Sequence, residues 1–98
     1  GPVIPIIGFD TTQEAISIAN ASSYGLNSCV FSSNASEAMT VAYAMQAGTA
    51  VINGSGLFRS NEMPFGGHKR SGLGTEGTLT SLEECSQLKT IVLKNIIV

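Results

Sequence analysis

Three short strand-like runs in the first half of the chain are separated by two segments with a helical pattern. Residues 3–8 form an apolar run rich in Ile and Val, which is typical of a buried strand, and residues 27–32 and 49–53 are expected to form a second and a third strand. The links between these segments are short. Strands joined through helices pair in parallel with right-handed crossovers. The sequence therefore predicts an α/β fold that contains a partial parallel βαβαβ sheet.

Both predicted helices begin at a capping sequence. Thr11 and Glu14 form a capping box for the first helix, and Asn34 with Glu37 forms one for the second. Gly48 is expected to end the second helix. One face of that helix carries small and apolar side chains at helical spacing, which are Ala35, Ala38, Met39, Ala42 and Met45.

A long segment without helical or strand periodicity, residues 54–77, follows the third run. It contains seven glycines, and a loop of this length is usually functional or disordered. Disorder is not expected, because the segment also carries apolar side chains that a solvated linker lacks, namely Leu57, Phe58, Met63, Phe65 and Leu73. Glycine lets the backbone approach another backbone or a ligand closely. We therefore expect an ordered loop that forms a site.

The last part of the chain is predicted to form a short helix and a strand. Residues 80–83 are expected to cap the helix. Residues 88–98 are apolar around Lys89 and Lys94, and they are expected to form a final strand. No earlier segment is an obvious pairing partner for this strand.

Length and composition limit the classes of protein that the chain can represent. With 98 residues it is one domain at most, and 43% hydrophobic against 12% charged residues suggests elements covered on more than one side. From this composition and a first residue other than Met, we expect the chain to be a piece of a larger protein core. A net charge of -2 gives no indication of a basic surface that would bind nucleic acid. Neither a membrane span nor a secretory leader is apparent, and a cytoplasmic location is expected.

Several motifs are excluded by their context. The sequence of residues 72–77 matches G-x-G-x-x-G, but a dinucleotide site requires a strand just before it and an acidic residue about twenty positions later. Cys29 and Cys85 fit no metal spacing, so no metal site is predicted. Cys29 is interpreted as a small core residue. The adjacent charges of Glu83 and Glu84 disfavour a thiolate at Cys85.

Residues 64–77 read Pro-Phe-Gly-Gly-x-Lys-x-Ser-Gly-x-Gly-x-Glu-Gly, which resembles the C-terminal signature of the NAD(P)-dependent aldehyde dehydrogenase superfamily. The resemblance covers nearly the whole chain, because further short matches occur in the family's order. These are Gly1-Pro2-Val3, Tyr24-Gly25-Leu26, Val51-Ile52-Asn53 and Lys89-Thr90-Ile91-Val92. The resemblance implies that residues 1–87 are the C-terminal part of the catalytic domain. It also implies that residues 88–98 are a strand of an oligomerisation sheet in a homo-oligomer.

The same resemblance implies oxidation of an aldehyde to a carboxylic acid by a parent enzyme that uses NAD or NADP. In the family a cysteine attacks the aldehyde, and neither Cys29 nor Cys85 matches that motif. The cofactor-binding domain also belongs to motifs that are absent here, so this chain alone is expected to bind no cofactor and to be inactive. The alternative is a non-catalytic, self-associating α/β structural domain that uses its last strand for edge pairing.

Four loop residues are candidates for the site. The resemblance implies that Phe65 borders the aldehyde and the nicotinamide, and that Glu76 is a possible proton relay. Arg59 would bind the anionic group of a substrate, and Phe58 would add to the substrate wall. Alternatives from the residues alone are a core plug for Phe65, a helix-start carboxylate for Glu76 and a solvated loop charge for Arg59.

Overall fold

The structure is a computed structural model that describes residues 1–97, and Val98 lies outside the described residues. The predicted α/β class is confirmed, with three helices and four short strands in the described residues. In chain order they are α1 (Thr12–Asn20), β1 (Tyr24–Gly25), β2 (Asn27–Val30), α2 (Ala35–Ala44), β3 (Thr49–Ile52), β4 (His68–Lys69) and α3 (Thr78–Glu84).

The centre of the fold is a parallel β2–α2–β3 unit. Strands β2 and β3 pair in parallel, from Asn27 opposite Thr49 to Val30 opposite Ile52. Helix α2 contacts both strands, and its Ala38 is completely buried. An alanine at this position allows the helix to lie close to the sheet. The predicted parallel pairing of the second and third runs is therefore confirmed.

Asn53 extends this pairing one residue beyond β3. Its backbone N–H donates to the carbonyl oxygen of Val30 at 2.8 Å. Its side-chain amide donates to the carbonyl oxygen of Ser32 and accepts from the N–H of the same residue, both at 2.9 Å. Asn53 has a φ of 53°, a region that Asn tolerates better than most residues. The side chain thus replaces the next backbone pair of the ladder at the point where the long loop begins.

The caps of the first two helices form largely as predicted. The hydroxyl of Thr11 accepts from the N–H of Glu14 at 3.2 Å, while the Glu14 carboxylate accepts from the N–H of Asp10. The Asn34 side chain accepts from two N–H groups in the first turn of α2. Helix α2 ends at Ala44 rather than near Gly48. Just after this end, the backbone N–H of Gln46 donates to the side-chain oxygen of Asn20.

Two predicted strands are not formed. Residues 3–8 and the described part of the segment 88–98, up to residue 97, have no regular secondary structure. A strand requires a neighbour to satisfy its backbone groups, and neither segment pairs with another described segment. Pro5 also lacks the N–H that a ladder needs, and Ile6 is 94% exposed. The predicted βαβαβ sheet is therefore reduced to one βαβ unit.

The last helix begins three residues earlier than a cap at Thr80 predicts. It starts at Thr78 after Gly77, and no side chain caps its first turn. The Thr80 hydroxyl donates to the carbonyl oxygen of Gly77, and the Ser81 hydroxyl accepts from the N–H of Gly77 at 3.2 Å. Gly77 has a φ of 147°, which L side chains rarely adopt, so the glycine sets the start of α3.

A second small sheet ties the long loop to the first half of the chain. Strands β1 and β4 pair antiparallel, with Tyr24 opposite Lys69 and Gly25 opposite His68. This pairing was not predicted, because strands of two residues carry no periodicity. The N–H of Gly25 also donates to the Ser71 hydroxyl at 2.9 Å. These contacts hold residues 68–71 beside β1.

Much apolar surface of this chain is uncovered. The accessible surface is 8213 Å², whereas a compact monomer of 10.1 kDa exposes about 5,300 Å². The radius of gyration is 19.7 Å, against about 13 Å for a compact domain of this length. Among the described residues only Ile16 and Ala38 are buried apolar side chains. Within residues 1–97 no helix is long and apolar enough to span a membrane.

Substitution of Gly48 tests how closely the loop packs on the βαβ unit. A Cβ at Gly48 would collide with the carbonyl oxygen of Gly66, and a backbone atom cannot move aside as a side-chain end can. In a longer chain that contains this segment, Gly48→Ala should destabilise the fold by about 3 kcal/mol or more. Thermal unfolding measures the change. Gly56→Ala is the matched control, because its Cβ would make an ordinary 3.6 Å contact. Equal melting temperatures for the two variants would contradict the observed packing.

Candidate functional site

The two ends of the glycine-rich segment are joined through their backbones. The N–H of Phe65 donates to the carbonyl oxygen of Glu76 at 2.7 Å, and the N–H of Glu76 donates back at 2.6 Å. Within the enclosed turn, a Cβ at Gly66 would lie 2.5 Å from the carbonyl oxygen of Gly74. Real side chains essentially never tolerate such a contact, so glycine is required for this close backbone approach. The predicted ordered loop is thus observed.

Three of the four predicted site residues lie together at this junction. The Nη2 atom of Arg59 donates to Oε2 of Glu76 at 2.7 Å, which forms an ion pair. The Arg59 guanidinium carbon also lies 4.1 Å from the centre of the Phe65 ring, a cation–π distance. The side chains of Arg59 and Glu76 are 46% and 71% exposed. Both charged groups are therefore accessible to a solute.

Phe65 and Glu76 also line a cleft of about 330 Å³. Its other walls come from Leu26, the glycine-rich segment and helix α3. The lining residues are Leu26, Phe65, Gly66, Gly67, Ser71, Gly72, Leu73, Gly74, Thr75, Glu76, Ser81, Glu84 and Cys85. The ring and the carboxylate thus border one space that can take a small organic molecule.

Phe58 does not lie with the other three candidates. Its ring is 64% exposed. It borders a separate surface hollow together with residues that follow from β3, which are Val51, Ile52, Gly54, Ser55 and Leu57. The structure therefore gives Phe58 no contact with the cleft beside Phe65.

The glycine-rich turn does not provide a phosphate cradle. The backbone N–H of Thr75, which a phosphate oxygen would need, donates to Oε1 of Glu84 at 2.9 Å. A Cβ at Gly74 would lie 3.4 Å from the other oxygen of the same carboxylate. A negative charge therefore stands where a pyrophosphate would bind. This turn therefore does not fit a pyrophosphate.

Glu84 is a residue of the cleft that the sequence interpretation missed. It lies in the last turn of α3, where the helix dipole disfavours a carboxylate. An acidic residue at such a position suggests that a donor outside the helix compensates, and the N–H of Thr75 is that donor. This was the one feature of the sequence that pointed to a loop contact for Glu84.

Lys69, in the long loop, binds the backbone of the first half of the chain. Lys69 has a φ of 55°, and its Nζ donates to the carbonyl oxygens of Asn20 and Ser22 at 2.8 and 3.0 Å. The Asn20 side chain donates to the carbonyl oxygen of Ala44, which links the ends of α1 and α2. Lys69 is thus a structural residue that links the long loop to the first half of the chain.

Neither cysteine is in a buried position. Cys29 and Cys85 are both free and exposed. The prediction that Cys29 is a core residue is wrong for this chain, because nothing described covers that side of the two-stranded sheet. Cys85 lines the cleft. No group of three or more potential metal ligands occurs among residues 1–97.

Comparison with known proteins gives one consistent result. The model of the aldehyde dehydrogenase family matches residues 1–91. Lactaldehyde dehydrogenase from Methanococcus maripaludis strain C5 is 48% identical over 96 residues, which are 98% of this chain and 21% of that protein. The chain thus spans about a fifth of the length of this relative.

Two solved structures show the same relationship. Glyceraldehyde-3-phosphate dehydrogenase GapN from Methanocaldococcus jannaschii, complexed with NADP, is 47% identical with a TM-score of 0.76. The match covers 81% of this chain and 17% of that one. Indole-3-acetaldehyde dehydrogenase AldA from P. syringae, in complex with NAD+ and IAA, is 39% identical with a TM-score of 0.84, over 91% of this chain and 18% of that one. From its sequence and its fold, the chain belongs to the aldehyde dehydrogenase family.

Proposed function

We propose that this chain forms the substrate-side wall of the active site in an NAD(P)+-dependent enzyme that oxidises an aldehyde to a carboxylic acid. The observation that carries the proposal is the junction of Arg59, Phe65 and Glu76 beside one cleft. When bound, NAD(P)+ accepts the hydride of the aldehyde. The glycine-rich turn offers the phosphates no free N–H at Thr75, so in this proposal other parts of a complete enzyme would bind the cofactor.

Phe65 would form an aromatic wall next to the aldehyde and the nicotinamide. An aromatic ring can pack on a flat heterocycle and exclude water from a site of hydride transfer. In support, the ring is half-buried and its backbone is fixed on both sides by the bridge to Glu76. Arg59 stacks on the ring and restricts its position further.

Glu76 would carry protons between the cleft and water. A relay group needs access to both, and the Glu76 side chain is largely exposed while it lines the cleft. Its backbone bridge to Phe65 keeps the carboxylate at the edge of the site. A role in ordering the loop is also supported, because the same carboxylate binds Arg59.

Arg59 would bind the anionic group of a substrate, and Phe58 would extend the substrate entrance. A guanidinium matches a carboxylate or a phosphate in geometry and charge. The exposure of Arg59 supports this role. For Phe58 the support is its position one residue before Arg59.

The same proposal includes the assembly and location of the complete enzyme. Residues 1–87 would belong to the catalytic domain, and residues 88–98 would pair in an oligomerisation sheet of a homo-oligomer. The exposed apolar side chains of residues 88–97 support a covering partner. Two free, exposed cysteines are compatible with a reducing compartment, and we place the enzyme in the cytoplasm.

The test compares this 98-residue chain with a longer enzyme chain that contains it. Each is incubated with an aldehyde panel and NAD+ or NADP+, and reduced cofactor is followed by its absorbance. The longer chain should turn over and should be oligomeric by light scattering, whereas the 98 residues alone should give no signal above the blank. Turnover by the 98-residue chain would contradict the proposal that this chain forms only the substrate-side wall of the active site. No turnover by either would favour the structural-domain alternative.

A further inference from the structure

The ion pair between Arg59 and Glu76 has features of an exchangeable contact. It consists of one hydrogen bond, from Nη2 to Oε2, although a guanidinium can offer a carboxylate two parallel bonds. Both side chains are exposed, so water can reach the pair. An anion in solution can therefore compete with Glu76 for the same donors.

Arg59 has a second support that does not depend on Glu76. The guanidinium carbon lies 4.1 Å from the centre of the Phe65 ring. A cation held over an aromatic face stays in place when its anionic partner changes. The Glu76 backbone is likewise held by its bridge to Phe65, whichever way the carboxylate points.

We propose that the carboxylate of Glu76 occupies the anion site of Arg59 until a carboxylate-bearing aldehyde replaces it. The inference rests on the proposed function and deepens it. On binding, the substrate carboxylate takes over the Arg59 donors, and Glu76 is released toward the cleft that it lines. An uncharged aldehyde leaves the ion pair intact. Glu76 is then a selectivity residue that competes with the anionic end of the substrate.

The expected size of this competition follows from the exposure of the pair. Exposed ion pairs correspond to a factor of about 1.5 to 5 in an equilibrium constant. Removal of the charge of Glu76 should therefore strengthen the binding of a carboxylate at Arg59 by a factor of about 1.5 to 5. A purely structural ion pair predicts the opposite, because its loss would disorder Arg59 and weaken binding.

The experiment measures ligand binding by calorimetry in a longer enzyme chain that contains this segment. Succinate is the probe, and succinamate is the matched ligand in which one carboxylate is replaced by a neutral amide. The variants are Glu76→Gln, Glu76→Asp and Arg59→Met. Glu62→Gln is the control, because it removes a negative charge from the same loop at a residue that forms no ion pair in residues 1–97.

In Glu76→Gln, the dissociation constant of succinate should fall by a factor of about 1.5 to 5 while that of succinamate stays the same. Glu76→Asp, which keeps the charge on a shorter side chain, should produce a smaller fall and serves if Glu76→Gln does not fold. In the Arg59→Met background, Glu76→Gln should have no effect on succinate. Unchanged or weaker succinate binding in both Glu76 variants, or an equal gain in Glu62→Gln, would overturn the proposal. Oxidation of a neutral aldehyde by the unmodified enzyme reports separately on the proposed function.

Discussion

Glu76→Gln in the complete enzyme should slow the oxidation of a neutral aldehyde by a factor on the order of a hundred to ten thousand, the range for loss of a proton-transfer group. The substitution nearly conserves volume and keeps the backbone bridge to Phe65, so a steric role predicts little change. The KM for the neutral aldehyde should change much less than kcat, because the lost group acts on a proton and not on substrate binding.

Steady-state and burst kinetics with a neutral aldehyde separate these effects. If the burst of reduced cofactor remains in Glu76→Gln while the steady-state rate falls, the slowed step comes after hydride transfer. Glu62→Gln is again the control for a lost charge in the same loop. If Glu76→Gln has the burst and the steady-state rate of the unmodified enzyme, Glu76 is no proton relay and acts only as the ion-pair partner of Arg59.

The local parts of the fold were readable from the sequence because local chemistry determines them. The Thr11 and Asn34 caps depend on side chains that bond to N–H groups two or three residues away. The parallel β2–α2–β3 unit was predictable because a short link on each side of one helix brings the two strands together. All of these contacts join residues that are close in the sequence.

The predicted outer strands do not form within this single chain, because a strand depends on neighbours that the sequence pattern cannot supply. Residues 3–8 have the composition of a strand, but composition does not provide a pairing edge. The same holds for residues 88–97. The β1–β4 pairing was missed for the opposite reason, since it is fixed by contacts such as Gly25 to Ser71 across 46 positions.

The candidate site was only partly predictable. The resemblance singled out Arg59, Phe65 and Glu76, but neither it nor the residues indicated that the three side chains contact one another. That contact arises because the backbone bridge brings residues 65 and 76 together, and glycine positions allow the turn between them. The role of Glu84 was missed, because its partner is a backbone N–H and its only sign was an acidic residue in the last turn of α3.

Arg59→Met in the complete enzyme should lower the preference for anionic aldehydes. Methionine keeps an unbranched side chain that can still pack on Phe65, but it lacks the charge and the donors. Loss of a charge-assisted contact costs about 1.5–3 kcal/mol, a factor of roughly 10 to 150. The measurement is the ratio of kcat/KM for a carboxylate-bearing aldehyde to that for a neutral aldehyde of similar size.

The control for Arg59→Met is the neutral aldehyde itself, together with Arg59→Lys, which keeps the charge but loses the planar fork. Lysine should retain an intermediate ratio, because a point charge attracts the anion without two parallel bonds. The neutral substrate should lose far less than the anionic one in either variant. If Arg59→Met leaves the ratio within twofold, Arg59 acts only through Glu76 and Phe65, and the anion-binding role is wrong.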